Sequence, residues 1–359
     1  MMKLIGTAAI RNTALIAGML ACSSAFAQQS NVDVYGIIDV LVGPTTNLTK
    51  DKGTTWRVSS SGMNVSRLGF KGAEDLGGGL KAVYQLEMGL GIDTGSTDNP
   101  LFKRQANVGL EGSYGRVILG RSFTSVYDFM LPYDPMGYAP FYSWVPTGNA
   151  SGISKYGMTT GFDNLIKYSG KFGPLSLGLS YGAGEQSATI GDSAKGAVAL
   201  NYAMGPVSVV GTYERINGNK LATGVRDETT AWHLGAMYSS GKLKLQSGAR
   251  DYRLQAAKPL TPDVRARLYW LGVNYQFASP VSVTGAVYYQ DVRNVPVVTQ
   301  ADPIMYVARV SYALSKRTAL YTVGGYAKTR HNQLVSLSRD EGGFDSDMRS
   351  LQVGINHRF

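Results

Sequence analysis

Residues 268–290 read LYWLGVNYQFASPVSVTGAVYYQ, twenty-three positions without a formal charge. A membrane-spanning helix is the first reading to test, and it fails. Asn274 and Gln276 interrupt the apolar run, and Ala278-Ser279-Pro280 breaks it in the middle. With period two, Tyr269, Leu271, Val273, Tyr275 and Phe277 share one face, and Leu268, Trp270, Gly272, Asn274 and Gln276 the other. Beyond the Ser279-Pro280 turn, Val281, Val283, Gly285, Val287 and Tyr289 alternate with Ser282, Thr284, Ala286, Tyr288 and Gln290. The segment predicts a hairpin of two strands of about ten residues each, the length that crosses a bilayer when tilted.

The same unit recurs along the chain. Asn31 to Gly43 alternates, Arg67 to Lys71 leads into an Asp75-Leu76-Gly77-Gly78-Gly79 turn, and Lys81, Gln85 and Glu87 share one face of the return. Short turns fall at Lys171-Phe172-Gly173-Pro174, Met204-Gly205-Pro206, Ser239-Ser240-Gly241 and Leu314-Ser315-Lys316-Arg317. Longer polar connections occupy residues 44–54, 92–101, 122–163, 184–194, 217–228, 255–265, 292–302 and 329–347. Eight long connections, each joining a pair of strands, predict a sixteen-stranded antiparallel transmembrane β-barrel, all-β, with turns periplasmic and loops outside. Composition agrees: 44 glycines, 22 tyrosines and only 17% charged residues suit many strands and tight turns better than a helical membrane protein or a disordered chain.

A leader precedes the barrel. Lys3 and Arg11 flank an apolar run, and Ala25-Phe26-Ala27 is an A-x-A cleavage pattern, so residues 1–27 read as a signal peptide and 28–359 as the exported barrel. Cys22 offers a competing lipoprotein reading, which the downstream A-x-A site outcompetes. Cleavage would remove the one cysteine, and with it any disulfide or thiolate metal site, and would lower the net charge from +10 to +8 by taking Lys3 and Arg11.

Closure is a physical requirement, because an open sheet edge cannot sit in hydrocarbon. Leu351, Val353, Ile355, His357 and Phe359 alternate with Ser350, Gln352, Gly354, Asn356 and Arg358, giving a last strand that can pair with the first. Phe359 at the end of such a strand resembles the recognition signal of bacterial outer-membrane proteins, which implies the barrel-assembly machinery as a partner. No catalytic constellation appears: His357 falls on the lipid face, His331 in a long loop, and His233 points inward without a patterned partner. Gly77-Gly78-Gly79 precedes no helix, so it is no phosphate loop. No cofactor is expected, and the basic residues are too dispersed for nucleic acid.

The connection from Ser122 to Asp163 stands apart. It carries Phe123, Tyr127, Phe129, Tyr133, Tyr138, Phe141, Tyr142 and Trp144, with Pro132, Pro135, Pro140 and Pro146. Such a loop would bury its rings by folding into a wet lumen that sixteen strands leave too wide to fill. Packing against a trimer partner is the competing arrangement.

Several segments resemble the general porins of betaproteobacteria: Val34-Tyr35-Gly36-Ile37-Ile38-Asp39, the run SRLGFKGAEDLGGGLKA at residues 66–82, Gly115-Arg116-Val117-Ile118-Leu119-Gly120-Arg121, residues 314–321 and the terminal Val353-Gly354-Ile355-Asn356-His357-Arg358-Phe359. The resemblance covers essentially the whole chain beyond the leader. It implies a homotrimer in outer-membrane lipid and lipopolysaccharide, a constriction loop in the lumen, and passive diffusion of small hydrophilic solutes. It also implies that wall arginines face loop acids across an eyelet. By position these are Arg67 and Arg104 on the wall, and Asp128 and Asp134 on the loop that also carries Tyr133 and Tyr142. Strand alternation separately points Arg67, Lys71, Lys81, Arg104, Lys242, Lys244, Arg250 and Arg309 toward the lumen as wall bases, opposed by Asp33, Asp39 and Glu87. Relatives often place another arginine in the loop, where this chain reads Phe141-Tyr142-Ser143-Trp144. The reading is a general diffusion porin with modest anion preference. The alternatives are a solute-specific porin for a sugar or aromatic acid, and an outer-membrane enzyme.

Overall fold

The computed structural model describes residues 31–146, 149–151, 154–187, 189–258, 260–294, 300–330 and 333–359. The segment 1–27 expected as a leader and His331 lie outside the described residues. Sixteen strands, each antiparallel to its neighbours in sequence, form the wall: β1 Asn31–Thr46, β2 Arg67–Gly77, β3 Leu80–Gly91, β4 Gln105–Gly112, β5 Gly115–Phe123, β6 Gly161–Phe172, β7 Leu175–Gly182, β8 Lys195–Met204, β9 Val207–Asn217, β10 Glu228–Ser240, β11 Leu243–Gln255, β12 Val264–Gln276, β13 Val281–Arg293, β14 Ile304–Ala313, β15 Thr318–Lys328 and β16 Asp347–Arg358. β16 pairs with β1 from Ile37 opposite Arg358 to Thr45 opposite Ser350, and the cylinder closes. Beyond the last strand, Phe359 exchanges both backbone hydrogen bonds with Gly36, at 3.1 and 3.2 Å. An ideal Cβ on Gly36 would lie 2.4 Å from the Phe359 ring, so only glycine leaves room for it.

The outer face is the apolar one. Tyr269, Leu271, Val273, Tyr275 and Phe277 of β12 are all exposed on it, while Leu268 and Trp270 are buried inside. Tyrosines and Trp232 cluster toward both ends of the strands, with aliphatic residues between, the pattern of a lipid-facing band between two aromatic girdles.

One departure from simple hairpins occurs after β1. The arm Thr54–Ser60 pairs with the loop end of β1 and β2 with its turn end, the two being separated by residues 61–66. Asp39 fixes this break. Fully buried, its carboxylate accepts hydrogen bonds from the backbone N–H of Gly62, Met63 and Asn64, from the Tyr321 hydroxyl and from Asn356 Nδ2. The parity reading that set Asp39 among the lumen acids is therefore corrected. Its charge is spent on a backbone corner.

Candidate functional site

The connection between β5 and β6 leaves the end of the wall and turns back into the barrel. Thr124 caps its first helix, α1 Ser125–Met130, by accepting from the Tyr127 N–H at 3.2 Å. Val126, Met130, Tyr133, Met136, Tyr138, Ala139, Tyr142, Trp144 and Val145 then form the main apolar cluster of the protein. They pack on the inner face of the wall, where glycines leave shallow seats. Phe129 and Ser125 lie over Gly178 of β7, Tyr133 over Gly235 of β10, Pro135 over Gly272 of β12 and Tyr142 over Gly325 of β15. The loop thus runs around the inner circumference as a belt.

Wall side chains satisfy the polar backbone of this belt, as burial requires. Trp270 Nε1 donates to Tyr133 O at 2.8 Å, Gln246 Nε2 to Pro132 O at 2.6 Å and Arg250 to Val145 O at 2.6 Å. The Tyr142 hydroxyl reaches Ser350 and Gln352 of β16. A second segment also turns inward, residues 333–346 before β16. Trp144 Nε1 donates to Ser336 O at 3.1 Å, and Arg339 to Tyr138 O at 2.9 Å, so this last loop rests on the belt.

These contacts correct three of the expected eyelet positions. Asp134 is 2% exposed and faces the wall: Tyr288, Ser143 and the N–H groups of Met136 and Tyr138 all donate to it. Burial pushes its carboxyl above the ordinary carboxylate range, against the pull of those donors. Tyr133 and Tyr142 are buried anchors as well. Asp128 keeps a half-exposed carboxylate but is paired with Lys167 of β6. The rings of this connection that stay only partly buried are Phe123, Tyr127, Phe129 and Phe141. Arg250 is likewise no lumen charge, being sealed beneath the belt.

The arc from β1 to β5 carries the remaining cluster. Glu87 of β3 is buried and shared by two cations, Arg104 through a 2.8 Å hydrogen bond and Arg67 at 3.5 Å. Its second oxygen accepts from the Tyr35 hydroxyl at 2.8 Å, which in turn accepts from Gln85 Nε2 at 2.6 Å. Arg104 lies over the Phe123 ring at 5.1 Å, where the belt begins. The expected arginines are therefore together, held by a wall carboxylate rather than by loop acids. Lys71 is exposed 4.0 Å from Asp33, and Lys81 is exposed in register with Asp75 and Glu111 toward the turn end.

Two contributors escaped the sequence reading. Arg57, on the arm after β1, makes a bidentate pair with Glu341 at 2.9 and 2.7 Å and covers the Phe141 ring at 4.9 Å. Lys167 neutralises Asp128. Arg309 of β14, read as a lumen base, hydrogen-bonds a hydroxyl, Thr284 Oγ1, at 3.0 Å. Counting pairs, Arg57 with Glu341 and Lys167 with Asp128 cancel. Arg67 and Arg104 outweigh Glu87, and Arg309 adds to the excess. Among these named groups the positive charges outnumber the negative.

Comparison with known proteins places this geometry. A model of the Gram-negative porin family matches residues 13–332. Outer membrane porin protein 32 of Delftia acidovorans is 30% identical over 98% of this chain and all of its own length. An outer membrane porin protein of Bordetella pertussis is 31% identical at the same coverage. Among solved structures, the anion-selective porin from Comamonas acidovorans superposes with a TM-score of 0.76 at 24% identity, over 92% of this chain and 100% of that one. The trimer form of OmpT from Vibrio cholerae gives 0.68 at 15% identity, over 92% and 99%. The chain belongs to the Gram-negative porin family, as an integral outer-membrane β-barrel that serves as a general diffusion channel.

Proposed function

We propose that this porin passes small hydrophilic solutes with a modest preference for anions, works as a homotrimer and catalyses no reaction. The supporting observation is the sharing of one buried carboxylate, Glu87, by Arg67 and Arg104. A wall cluster with two cations and one anion leaves a fixed positive charge beside the constriction. In a narrow channel with low-dielectric walls, such a charge concentrates counter-ions. Lipopolysaccharide and the barrel-assembly machinery are the partners that this reading requires, and the signal peptide at residues 1–27 is its export route.

The belt geometry speaks against a solute-specific track. Tyr133, Tyr138, Tyr142 and Trp144 are buried in the packing of the belt, so fewer rings remain for stacking a sugar or aromatic acid. The test is the zero-current potential across a planar bilayer in a potassium chloride gradient, with liposome swelling on a series of neutral sugars. An anion-selective sign and swelling rates that track solute size support the reading. A cation-selective sign, or swelling that saturates for one solute, refutes it.

A further inference from the structure

Behind the second half of the belt, the wall holds polar groups that nothing in the protein answers. In register across β9, β10 and β11, Thr212, His233 and Arg250 stand side by side on the inner face. Leu268 and Gln290 continue the row on β12 and β13, and Glu214 lies one inward position further along β9. Glu214, His233, Arg250 and Gln290 are each 2% exposed or less. Yet Nε and Nη2 of Arg250, Nε2 of His233, Oε2 of Glu214 and both amide atoms of Gln290 have no hydrogen-bond partner. Buried polar atoms are normally satisfied, so such a concentration of orphans marks a space that something else completes.

The bonds that do form show which edges are free. Arg250 Nη1 donates to Val145 O at 2.6 Å, which leaves unused the Nε–Nη2 edge, the fork that grips anions bidentately. The Thr212 hydroxyl lies 3.0 Å from His233 Nδ1 and leaves Nε2 to carry the ring proton. Glu214 Oε1 accepts from the Thr159 N–H at 2.9 Å, and its other oxygen accepts nothing. From above, the belt brings Trp144 and Val145, which are uncharged, and its acids are used elsewhere, Asp134 by Tyr288 and Asp128 by Lys167. Arg250 is thus a cation sealed from water with no acid bonded to it among the described residues. A buried charge left in that state is strongly destabilising.

We propose that this space is a binding site for one small monovalent inorganic anion, chloride in ordinary salt, held between the Arg250 fork and His233 Nε2. Glu214 completes the site in its acid form, with Oε2–H as a further donor, because a carboxyl sealed from water without a bonded cation does not keep its charge. The ion sits behind the belt and outside the conducting path, so the proposal is independent of the selectivity reading above. Its work is to fasten the belt. Arg250 holds the loop at Val145 and Glu214 holds it at Thr159, and an anion between them ties both anchors to one point. Organic anions too large for a sealed space cannot take its place.

The test is anomalous diffraction at the bromine edge from crystals of the whole porin equilibrated in sodium bromide. The parent should show a bromide peak between the Arg250 fork and His233 Nε2. Arg250→Gln should lose that peak, and Glu214→Gln, which keeps a donor, should retain it. A second measurement serves if Arg250→Gln fails to fold. The parent's heat-modification temperature should be higher in sodium chloride than in sodium gluconate of equal ionic strength, and His233→Leu should abolish the difference. Water without anomalous signal at this position in the parent, or a peak that survives Arg250→Gln, would overturn the proposal. A peak found only in Glu214→Gln would show that the carboxylate itself balances Arg250, and would overturn it too. So would equal heat-modification temperatures of the parent in the two salts.

Discussion

The Tyr288 hydroxyl of β13 donates a 2.6 Å hydrogen bond to Oδ1 of Asp134, joining the barrel wall to the inward loop at a point sealed from solvent. Removing one donor from a buried carboxylate costs about 1–3 kcal/mol. Tyr288→Phe should therefore loosen the belt without preventing closure of the barrel. Single-channel recordings should show more frequent partial closures than the parent, and heat-modification on gels should begin at lower temperature. Recordings as quiet as the parent's would show that the anchor carries no weight.

The glycine seats give a prediction of opposite kind. A Cβ at Gly178 would come within 2.7 Å of the Phe129 ring and 2.8 Å of Ser125 Cβ. Gly178→Leu should push the start of the belt toward the channel axis and lower the open conductance, with the barrel still formed. Gly224, at a positive φ in an exposed loop and with open space around it, marks the contrast: strain there should leave conductance alone.

Charge selectivity follows from the shared carboxylate. Arg67→Ala with Arg104→Ala should reduce the anion preference, whereas Glu87→Gln should strengthen it by removing the anion that both cations share. The two shifts have opposite sign in the zero-current potential at 0.1 M salt, where the Debye length is about 10 Å. Both should fade at 1 M, where it is about 3 Å. Shifts of the same sign would disconnect selectivity from this cluster.

At the seam, Phe359 seats its ring on Gly36. Gly36→Val should collide with that ring and lower the yield of folded, heat-modifiable barrel. Deletion of Phe359 should do the same by removing the final pair of backbone hydrogen bonds. Ordinary yields for both would remove Phe359 from any assembly role.

Much of this architecture was legible in one dimension. Period-two alternation at Leu268–Gln290 sets which face meets lipid, and the structure places Tyr269, Leu271 and Val273 there. Alternation, however, states only that the inner face is polar, not what covers it. Arg250 and Arg67 share that inward parity, yet one lies under the belt and the other beside the channel. Asp134 looked like an eyelet acid because it sits in the right loop. Its direction depends on a turn that brings the N–H groups of Met136 and Tyr138 onto it, and on a tyrosine more than 150 positions away. The inward turn of the last loop had a local signal in Leu334-Val335-Ser336-Leu337, of which Val335 and Leu337 are buried. The sealed group of Glu214, His233 and Arg250 is invisible until β9, β10 and β11 are aligned.

The inward belt is the feature on which the channel depends, and its removal is the most direct test. Excising residues 131–146 and closing the gap with a short Gly-Ser linker leaves all sixteen strands and takes out Tyr133 and Tyr142, which hold the belt to the wall, and Trp144, which holds it to the last loop. In planar bilayers at 1 M potassium chloride, the folded variant should show a clearly higher single-channel conductance than the parent and should pass larger sugars in liposome swelling. A folded variant with the parent's conductance and the parent's size limit would contradict a constriction formed by this loop.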